Sequence, residues 1–273
     1  MKIIVLIKQV PSTANTRMDP EKGTVIRDAG DTVLNPLDEH AVTEAVKIKK
    51  LIPGTKIIAL TMGPPSAKKI LNEACARGVD EGVLLSHKAF GGSDTVATAH
   101  VLAAAVKQIG NYDLLLAGEK ATDGETGQTG PMTAALLNIP VITFAQSLTV
   151  LDNKIHVQRM VEEGIEELSV NLPALVTVIK EINKPPLPTI RGYLLAKKVP
   201  IPIWGPDDIN IEPGRVGLKG SSTRVVKIFS PRLVRNTKFR IANTEEGIIS
   251  SVNTIMEVLT NRSLISKGDN HGS

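Results

Sequence analysis

The sequence predicts an α/β fold built on a mostly parallel, doubly wound sheet. Short apolar runs, typical of strands buried on both faces, alternate with longer amphipathic segments typical of helices. Because parallel strands need crossover connections, this alternation indicates right-handed βαβ units. Hydrophobic residues make up 42% of the 273 residues and aromatic residues only 3%, so the predicted core is aliphatic.

Each element is predicted from its own pattern. The first half is expected to contain strands at Lys2–Ile7, Lys56–Met62, Gly82–Ser86 and Tyr112–Ala117, and helices at Glu39–Leu51, Ser66–Arg77 and Ser93–Ile109. The second half is expected to contain a β-hairpin over Thr149–Val161 that turns at Asp152-Asn153, strands at Ile165–Val170 and Ala174–Lys180, and a one-faced helix over Thr244–Asn261. The prediction is therefore a Rossmann-like sheet with an antiparallel hairpin extension.

The chain is predicted to divide into three regions. Residues 1–183 are expected to form a nucleotide-binding α/β domain, and residues 236–273 a tail with one amphipathic helix. Residues 184–235 lie between them and begin with the proline-rich, apolar stretch KPPLPTIRGYLLAKKVPIPIW. Such a segment is not expected to bury itself in its own fold, and an extended arm that packs on a partner chain suits its composition.

Composition excludes several classes of function. Few aromatic residues and a net charge of +4 that is spread along the chain argue against nucleic-acid binding. A single cysteine, Cys75, excludes an intramolecular disulfide and a cysteine-rich metal site, and its helical context favours a buried thiol. No apolar run approaches the length of a membrane span, and the first residues read directly into a strand. A cytoplasmic protein without membrane insertion is expected.

The most informative segment is the glycine-rich stretch Leu114–Pro131, LLLAGEKATDGETGQTGP. A strand, a glycine-rich loop and a helix whose first amides face the strand end form a common binding place for an anionic nucleotide group. Neither GxGxxG nor GxxxxGK[ST] occurs here. An ordinary strand-to-helix turn therefore remains the alternative to a nucleotide site.

The loops that follow the other strands are also small, polar or rich in glycine. They include Lys8–Pro11 and Asn35–Asp38 after the first strand, Met62–Pro65 after the second and Gly91–Thr95 after the third. Because ligands bind outside the carboxyl ends of the strands in such sheets, these loops are expected to meet around one nucleotide cleft. Asp38 and Ser93 could also simply cap the helices that follow them.

No set of side chains in the sequence indicates catalysis by the protein itself. The five histidines are scattered, and no HxxxH, HExxH or GxSxG pattern is present, so a hydrolase has no support. FGGSDT is similar to the SGGxDS loop of ATP pyrophosphatases, but that loop follows a first strand and this one follows the third. A nucleotide cleft without reactive side chains favours a protein whose cofactor carries the chemistry.

Four segments in order resemble the beta subunit of electron-transfer flavoproteins. They are NPLDEHAVTEAVKIK from Asn35, LTMGPPSA from Leu60, the loop from Gly118 to Pro131, and VQRMVEEGIEELSVNLPALVT from Val157. The likeness extends from Met1 to about Leu233. It implies a heterodimer with an alpha subunit that carries a mobile FAD-bearing domain.

The resemblance also implies where the beta subunit holds its own nucleotide. The cofactor-binding residues that it implies are Leu6, Asn35, Pro36, Leu37, Asp38, Met62, Thr95, Gly118, Asp123, Gly124, Glu125, Thr126, Gly127, Gln128 and Thr129. The two acids at Asp123 and Glu125 would repel a phosphate, so they are expected to contact ribose hydroxyls, backbone amides or the partner. Backbone amides and the hydroxyl of Thr126 or Thr129 are expected to meet the phosphate.

The same loop indicates the branch of the family. In the housekeeping branch the nucleotide is a structural AMP, whereas in the electron-bifurcating branch, which includes nitrogen-fixation relatives, it is a second FAD. Asp123–Gln128 resembles the second form, as do GGSDTVAT from Gly91 and GLKGSSTRVVKIF from Gly217. Gly124 lacks a Cβ, so it can adopt a positive φ and lets a bulky ligand approach the backbone, which favours FAD. NADH would then donate hydride, and electrons would leave through the alpha-subunit FAD to ferredoxin-type and other acceptors.

Three functions therefore remain open from the sequence: an FAD-binding bifurcating subunit, a subunit with AMP, and a nucleotide-sensing module without a redox role. The resemblance places the family's partner-recognition loop at Lys184–Leu194, with Ile190 where an exposed leucine anchors dehydrogenases. The partner would be an acyl-CoA-type dehydrogenase or a quinone oxidoreductase. Burial of Ile190 within its own fold is the alternative.

Overall fold

The computed structural model describes residues 1–12, 32–224 and 242–265, together with the backbone of Thr16–Met18 and Val25–Arg27. The strands are β1 (Lys2–Leu6), β2 (Gln9–Pro11), β3 (Thr16–Met18), β4 (Val25–Arg27), β5 (Thr32–Leu34), β6 (Lys56–Met62), β7 (Glu81–Leu85), β8 (Leu114–Gly118), β9 (Val141–Leu151), β10 (Lys154–Val161), β11 (Gly164–Asn171), β12 (Ala174–Val178) and β13 (Ile203–Trp204). The helices are α1 (Pro36–Leu51), α2 (Lys68–Ala76), α3 (Thr95–Ile109), α4 (Thr129–Leu137), α5 (Ile190–Ala196), α6 (Gly217–Gly220) and α7 (Glu245–Asn261).

Nine of these strands form one sheet in the order β11-β10-β9-β12-β8-β1-β6-β7-β13. The six neighbouring strands from β12 to β13 run parallel, and β9 is also parallel to β12. In chain order, the first strand β1 lies between β6 and β8, so the direction of winding reverses at the β1–β8 pair. This reversal is the topological switch point, where ligands bind in open α/β sheets.

The core is aliphatic and lies on both faces of the sheet, as predicted. On one face, Ile3, Ile57 and Leu116 pack with residues of α1 and α2. On the other face, Ile4 and Leu115 pack with residues of α3 and α4. Successive side chains of a strand point to opposite faces, which is why the apolar runs of β1 and β8 are continuous. The predicted doubly wound α/β fold is confirmed.

The antiparallel extension is also confirmed, but it is longer than predicted. Strand β9 begins at Val141 rather than at Thr149, and β10 pairs antiparallel with both β9 and β11. Asp152 and Asn153 have φ values of +50° and +58°, which is the left-handed pair that a two-residue hairpin turn requires.

The expectation that the proline-rich segment does not bury itself in its own fold is wrong in part, because the segment packs partly on the chain's own sheet. β13 adds to the sheet next to β7, and Ala196, Ile201 and Ile209 are buried. Residues 1–227 form one compact unit and residues 228–273 form a second. In the second unit, the predicted one-faced helix is α7, and its Thr244 cap accepts a hydrogen bond from the Gly247 amide.

Candidate functional site

A cavity of about 540 Å³ opens at the switch point. Its walls come from the end of β1, the end of β8 and the glycine-rich loop that follows β8, together with the start of α3. The described lining contains apolar side chains such as Leu6, Met62 and Leu102 beside polar groups of the loop. A concave site of this size with one apolar wall and a few polar groups suits a small organic ligand.

Most of the predicted site residues meet in this cavity. Those that line it are Leu6, Asp38, Met62, Thr95, Gly118, Gly124, Glu125, Thr126, Gly127, Gln128 and Thr129. Four other predicted site residues are not among the described residues that line the cavity: Asn35, Pro36, Leu37 and Asp123. The contacts of Asn35, Leu37 and Asp123, given below, place these three behind or beside the wall, and Pro36 is the exposed first residue of α1.

Asp38 joins the ends of the two strands that flank the cavity. Its Oδ2 accepts from the Lys8 amide at 2.7 Å, and its Oδ1 accepts from the Gly118 amide at 3.1 Å. Burial raises the pKa of Asp38 to about 7, against the lowering effect of its hydrogen bonds from Asn35, Lys8 and Gly118. Its position inside the first turn of α1, after Asn35, shows that it does not cap that helix.

Asn35 supports the glycine-rich loop from behind. Its side chain is buried, donates to the Lys120 carbonyl at 2.9 Å and accepts from the Thr122 amide at 3.3 Å. Leu37 lies close to Gly118 on the other side of this junction. A Cβ at Gly118 would overlap both Asp38 Oδ1 and the Leu37 backbone. Glycine is thus required at position 118 for the start of α1 to approach the end of β8.

The backbone of the loop differs from the prediction at one position. The residues with positive φ are Glu125 at +53° and Gly127 at +63°, not Gly124. A Cβ at Gly124 would meet no atom of the described residues within 4 Å. The expected conformational reason for glycine at position 124 is therefore wrong, and any close approach at this position would have to come from a ligand.

Asp123 does not face the cavity but forms an ion pair. Lys8 Nζ lies 2.7 Å from Asp123 Oδ1 and 2.8 Å from Asp123 Oδ2. Lys8 itself lines the cavity, so a cation stands at the wall while the carboxylate lies outside it.

The first residues of α3 and of α4 both line the cavity. Among the described residues, a side chain caps the first amides of α3 but not those of α4. Asp94, not Ser93 as considered from the sequence, caps α3 by accepting from the Ala97 amide at 3.0 Å. It also accepts from the amide of Thr223 at 2.8 Å. Burial opposes ionisation of Asp94, but these hydrogen bonds together outweigh it and lower the pKa.

The start of α4 is open by comparison. It follows Gln128, whose side chain caps none of the described amides. The first amides of a helix have no acceptor within it and carry partial positive charge. The α4 start, next to the hydroxyls of Thr126 and Thr129, is therefore the place in the cavity that best receives an anionic group.

The sequence placed Lys8 and Asp94 only in loops that were expected to meet around the cleft, without naming either as a binding residue, and it did not indicate Thr98 or Thr223 as part of the wall. Lys8 directly follows the first buried strand and Asp94 precedes a helix, so both positions carried a local signal. Thr223 reaches the wall only because the chain returns from α6 to Asp94, which is a long-range contact.

Ile190, the predicted partner contact, begins α5 and is 83% exposed. The alternative, burial in its own fold, does not hold. Leu187 and Leu194 are exposed beside it.

A profile described as the electron transfer flavoprotein domain matches residues 22–209. The chain belongs to the electron transfer flavoprotein family. It is 44% identical over 231 residues to the caffeyl-CoA reductase-Etf complex subunit CarD of Acetobacterium woodii, covering 85% of this chain and 88% of the relative. It is 39% identical over 266 residues to an electron transfer flavoprotein subunit beta of Thermoanaerobacterium thermosaccharolyticum, covering 97% of this chain and 100% of the relative.

A relative named Protein FixA, from Azorhizobium caulinodans, is 36% identical over 239 residues, with 85% of each chain covered. The resemblance to the electron-bifurcating, nitrogen-fixation-type branch of beta subunits is thus supported. Membership of this family implies an alpha-subunit partner and an electron-transfer complex.

In the described part of the chain, no helix has both the length and the hydropathy to cross a membrane, and no His, Cys, Asp and Glu cluster could hold a metal ion.

Proposed function

We propose that this chain is the beta subunit of a cytoplasmic, electron-bifurcating electron transfer flavoprotein and binds FAD in the switch-point cavity. The observation that carries the proposal is the open start of α4 in a cavity whose described walls offer amides, hydroxyls and an apolar face. Such a site binds and orients a nucleotide cofactor without reacting with it.

The residues present fit a dinucleotide. The open amides at Thr129 and Gly130, with the Thr126 hydroxyl, are suited to the pyrophosphate. No described atom lies within 4 Å of a Cβ built at Gly124, so a ligand can approach the backbone there. Leu6 and Met62 provide an apolar surface for a ring system. When bound, FAD supplies hydride acceptance and single-electron transfer.

The chain's own charges tune this site. Among the described residues, two lysines line the cavity, Lys8 and Lys120, together with four acidic residues, Asp38, Asp94, Glu119 and Glu125. The Asp94 charge is satisfied by amides, and the raised pKa of Asp38 leaves that group partly protonated near neutral pH. Much of the acidic character of the wall is thereby offset, which helps an anionic cofactor to bind.

We further propose NADH as the hydride donor, and an acyl-CoA-type dehydrogenase or a quinone oxidoreductase as one electron acceptor beside a ferredoxin-type acceptor. The support for a CoA-ester-type partner is the likeness to a subunit named for a caffeyl-CoA reductase complex and to a second relative named acryloyl-CoA reductase electron transfer subunit gamma; NADH and the other acceptors are proposed from the resemblance to the bifurcating branch.

Cofactor content tests the proposal. The chain is purified with its alpha subunit, the complex is denatured, and FAD and AMP released per heterodimer are quantified. Two FAD and no AMP are expected. One FAD and one AMP would contradict FAD binding in this cavity and identify a housekeeping subunit. No flavin and no alpha partner would overturn the redox function in favour of a nucleotide sensor. Rapid mixing with NADH then tests whether the bound flavin is reduced directly.

A further inference from the structure

The segment Asn183–Ala196, named here the recognition segment, presents apolar side chains to solvent. Leu187, Ile190 and Leu194 are 87%, 83% and 58% exposed. Ile190 and Leu194 lie one turn apart on α5, and exposed apolar side chains that cluster in this way mark an interaction surface. The segment is nevertheless held in one position, because three independent contacts attach it to α1 and α2.

The first contact is made by Arg77, which follows the last residue of α2 and has a side chain only 7% exposed. Its Nη1 donates to the Pro186 carbonyl at 2.9 Å. Its Nη2 lies 2.9 Å from Glu73 Oε1 and 3.1 Å from Glu39 Oε2. A planar guanidinium with several fixed partners has little freedom, so the two glutamates fix the group that holds Pro186.

The second contact is made by Asn183 at the start of the recognition segment. Its Nδ2 donates to the His40 carbonyl at 3.0 Å and to Glu44 Oε2 at 3.1 Å, and its Oδ1 lies 3.0 Å from His40 Nδ1. The third is a close approach of α5 to α2, where a Cβ at Gly192 would overlap the Ala76 carbonyl. The recognition segment is thus attached at its start, in its middle and near its end.

The surface around the apolar side chains is basic. Residues 184–198 contain Lys184, Arg191, Lys197 and Lys198 and no acidic residue, and all four are exposed. A partner that fits this surface has an apolar pocket with carboxylates at its rim, since complementary charge steers association and fixes the register of two surfaces.

We propose that Arg77 is a positioning residue for docking: it holds the recognition segment so that Leu187, Ile190 and Leu194 enter an acid-rimmed apolar pocket of an electron-accepting dehydrogenase. This inference rests on the proposed function, because it takes Ile190 as the anchor of that partner. Arg77 acts through Pro186 and touches no reacting atom. Its loss leaves the segment to be ordered during docking, which lowers affinity without changing electron transfer once docked.

The test uses the purified heterodimer and the substitution Arg77→Gln. Deuterium exchange of the amides in residues 187–196 is expected to rise about tenfold because the segment opens more often, while exchange in residues 118–130 and the cofactor content stay unchanged. With an acyl-CoA dehydrogenase that the native complex reduces, KM for that protein rises about tenfold at unchanged kcat. KM of the native complex also rises with salt.

Arg215→Gln is the matched control, because it removes a surface pair with Glu212 at 2.9 Å and is expected to change neither quantity. If Arg77→Gln changes neither exchange nor KM while Ile190→Ala raises KM, the role of Arg77 is refuted and docking stands. If Ile190→Ala leaves KM unchanged, docking at this segment is wrong. A complex without flavin would instead refute the proposed function, and exchange would still decide whether Arg77 holds the segment. Should Arg77→Gln fail to fold, Glu73→Gln, which removes one of the two carboxylates that fix the Arg77 guanidinium, gives the same exchange readout.

Discussion

Lys8 Nζ lies 2.7 Å from Asp123 Oδ1, although the two residues are 115 positions apart in the sequence. The pair connects Lys8, two residues after the end of β1, to the glycine-rich loop. Because Lys8 also lines the cavity, its ammonium can serve both the loop carboxylate and an anionic ligand.

Replacing Lys8 by Met is expected to weaken cofactor binding. The change removes a cation from the wall and leaves the Asp123 carboxylate unpaired beside an anionic ligand. Because the ion pair is partly exposed, the expected loss of binding free energy is about 1 kcal/mol, or roughly a fivefold higher Kd for FAD. The loss is smaller at high salt. Titration of FAD into the apo-complex at two salt concentrations measures the effect. Lys56→Met, which removes the Glu81 pair at 2.6 Å, is the control. Equal Kd values for Lys8→Met and the native chain at low salt would contradict the role of Lys8.

Asp38 is expected to make folding stability depend on pH. Burial raises its pKa from 3.8 to about 7, so between these values the folded chain holds a proton that the unfolded chain has released. The stability due to this proton is complete below about pH 4 and is lost as the pH rises through about 7. Relative to Asp38→Asn, the native chain should lose up to about 4 kcal/mol over this range. Urea unfolding at several pH values measures the difference, and a difference that does not change with pH would refute the assignment.

Gly124→Ala separates binding from folding. A Cβ at this position meets no described atom within 4 Å, so the free energy of unfolding is expected to change by less than about 1 kcal/mol. FAD retained by the purified complex should nevertheless fall, because the methyl group occupies space that the larger nucleotide requires. Gly214→Ala is the matched control, since position 214 is equally open among the described residues and lies outside the cavity lining. Full FAD content in Gly124→Ala would show that the ligand does not approach this residue.

Cys75 is expected to be unreactive in the folded chain. It is buried in α2, and burial, followed by the nearby charge of Asp80, raises the pKa of its thiol to about 11. Only the thiolate reacts readily with alkylating reagents. Iodoacetamide at pH 8 should therefore label the chain in urea and leave the native complex unlabelled within the same time. Rapid labelling of the native complex would contradict the buried position.

Local patterns predicted those parts of the molecule that depend on local physics. The continuous apolar runs of β1 and β8 and the Asp152-Asn153 turn were predicted because strand burial and turn geometry depend on neighbours in sequence. The glycine-rich loop could be assigned to the cavity for the same reason, since it follows a strand in a parallel sheet. The start of β9 and the packing of the proline-rich segment were not predicted, because pairing with β12 and β7 decides both.

By itself, then, the sequence determined the fold class, the aliphatic core and the glycine-rich loop that lines the cavity. Only the tertiary structure decided the work of individual residues within that site. It placed Asn35 behind the loop as a support, Asp123 on Lys8, and Asp38 between two strand ends. It also showed that the positive φ expected at Gly124 occurs at Glu125 instead. The physical reason is that hydrogen bonds and ion pairs of this kind join residues about 30 to 115 positions apart, and no local pattern encodes which distant groups come within bonding distance.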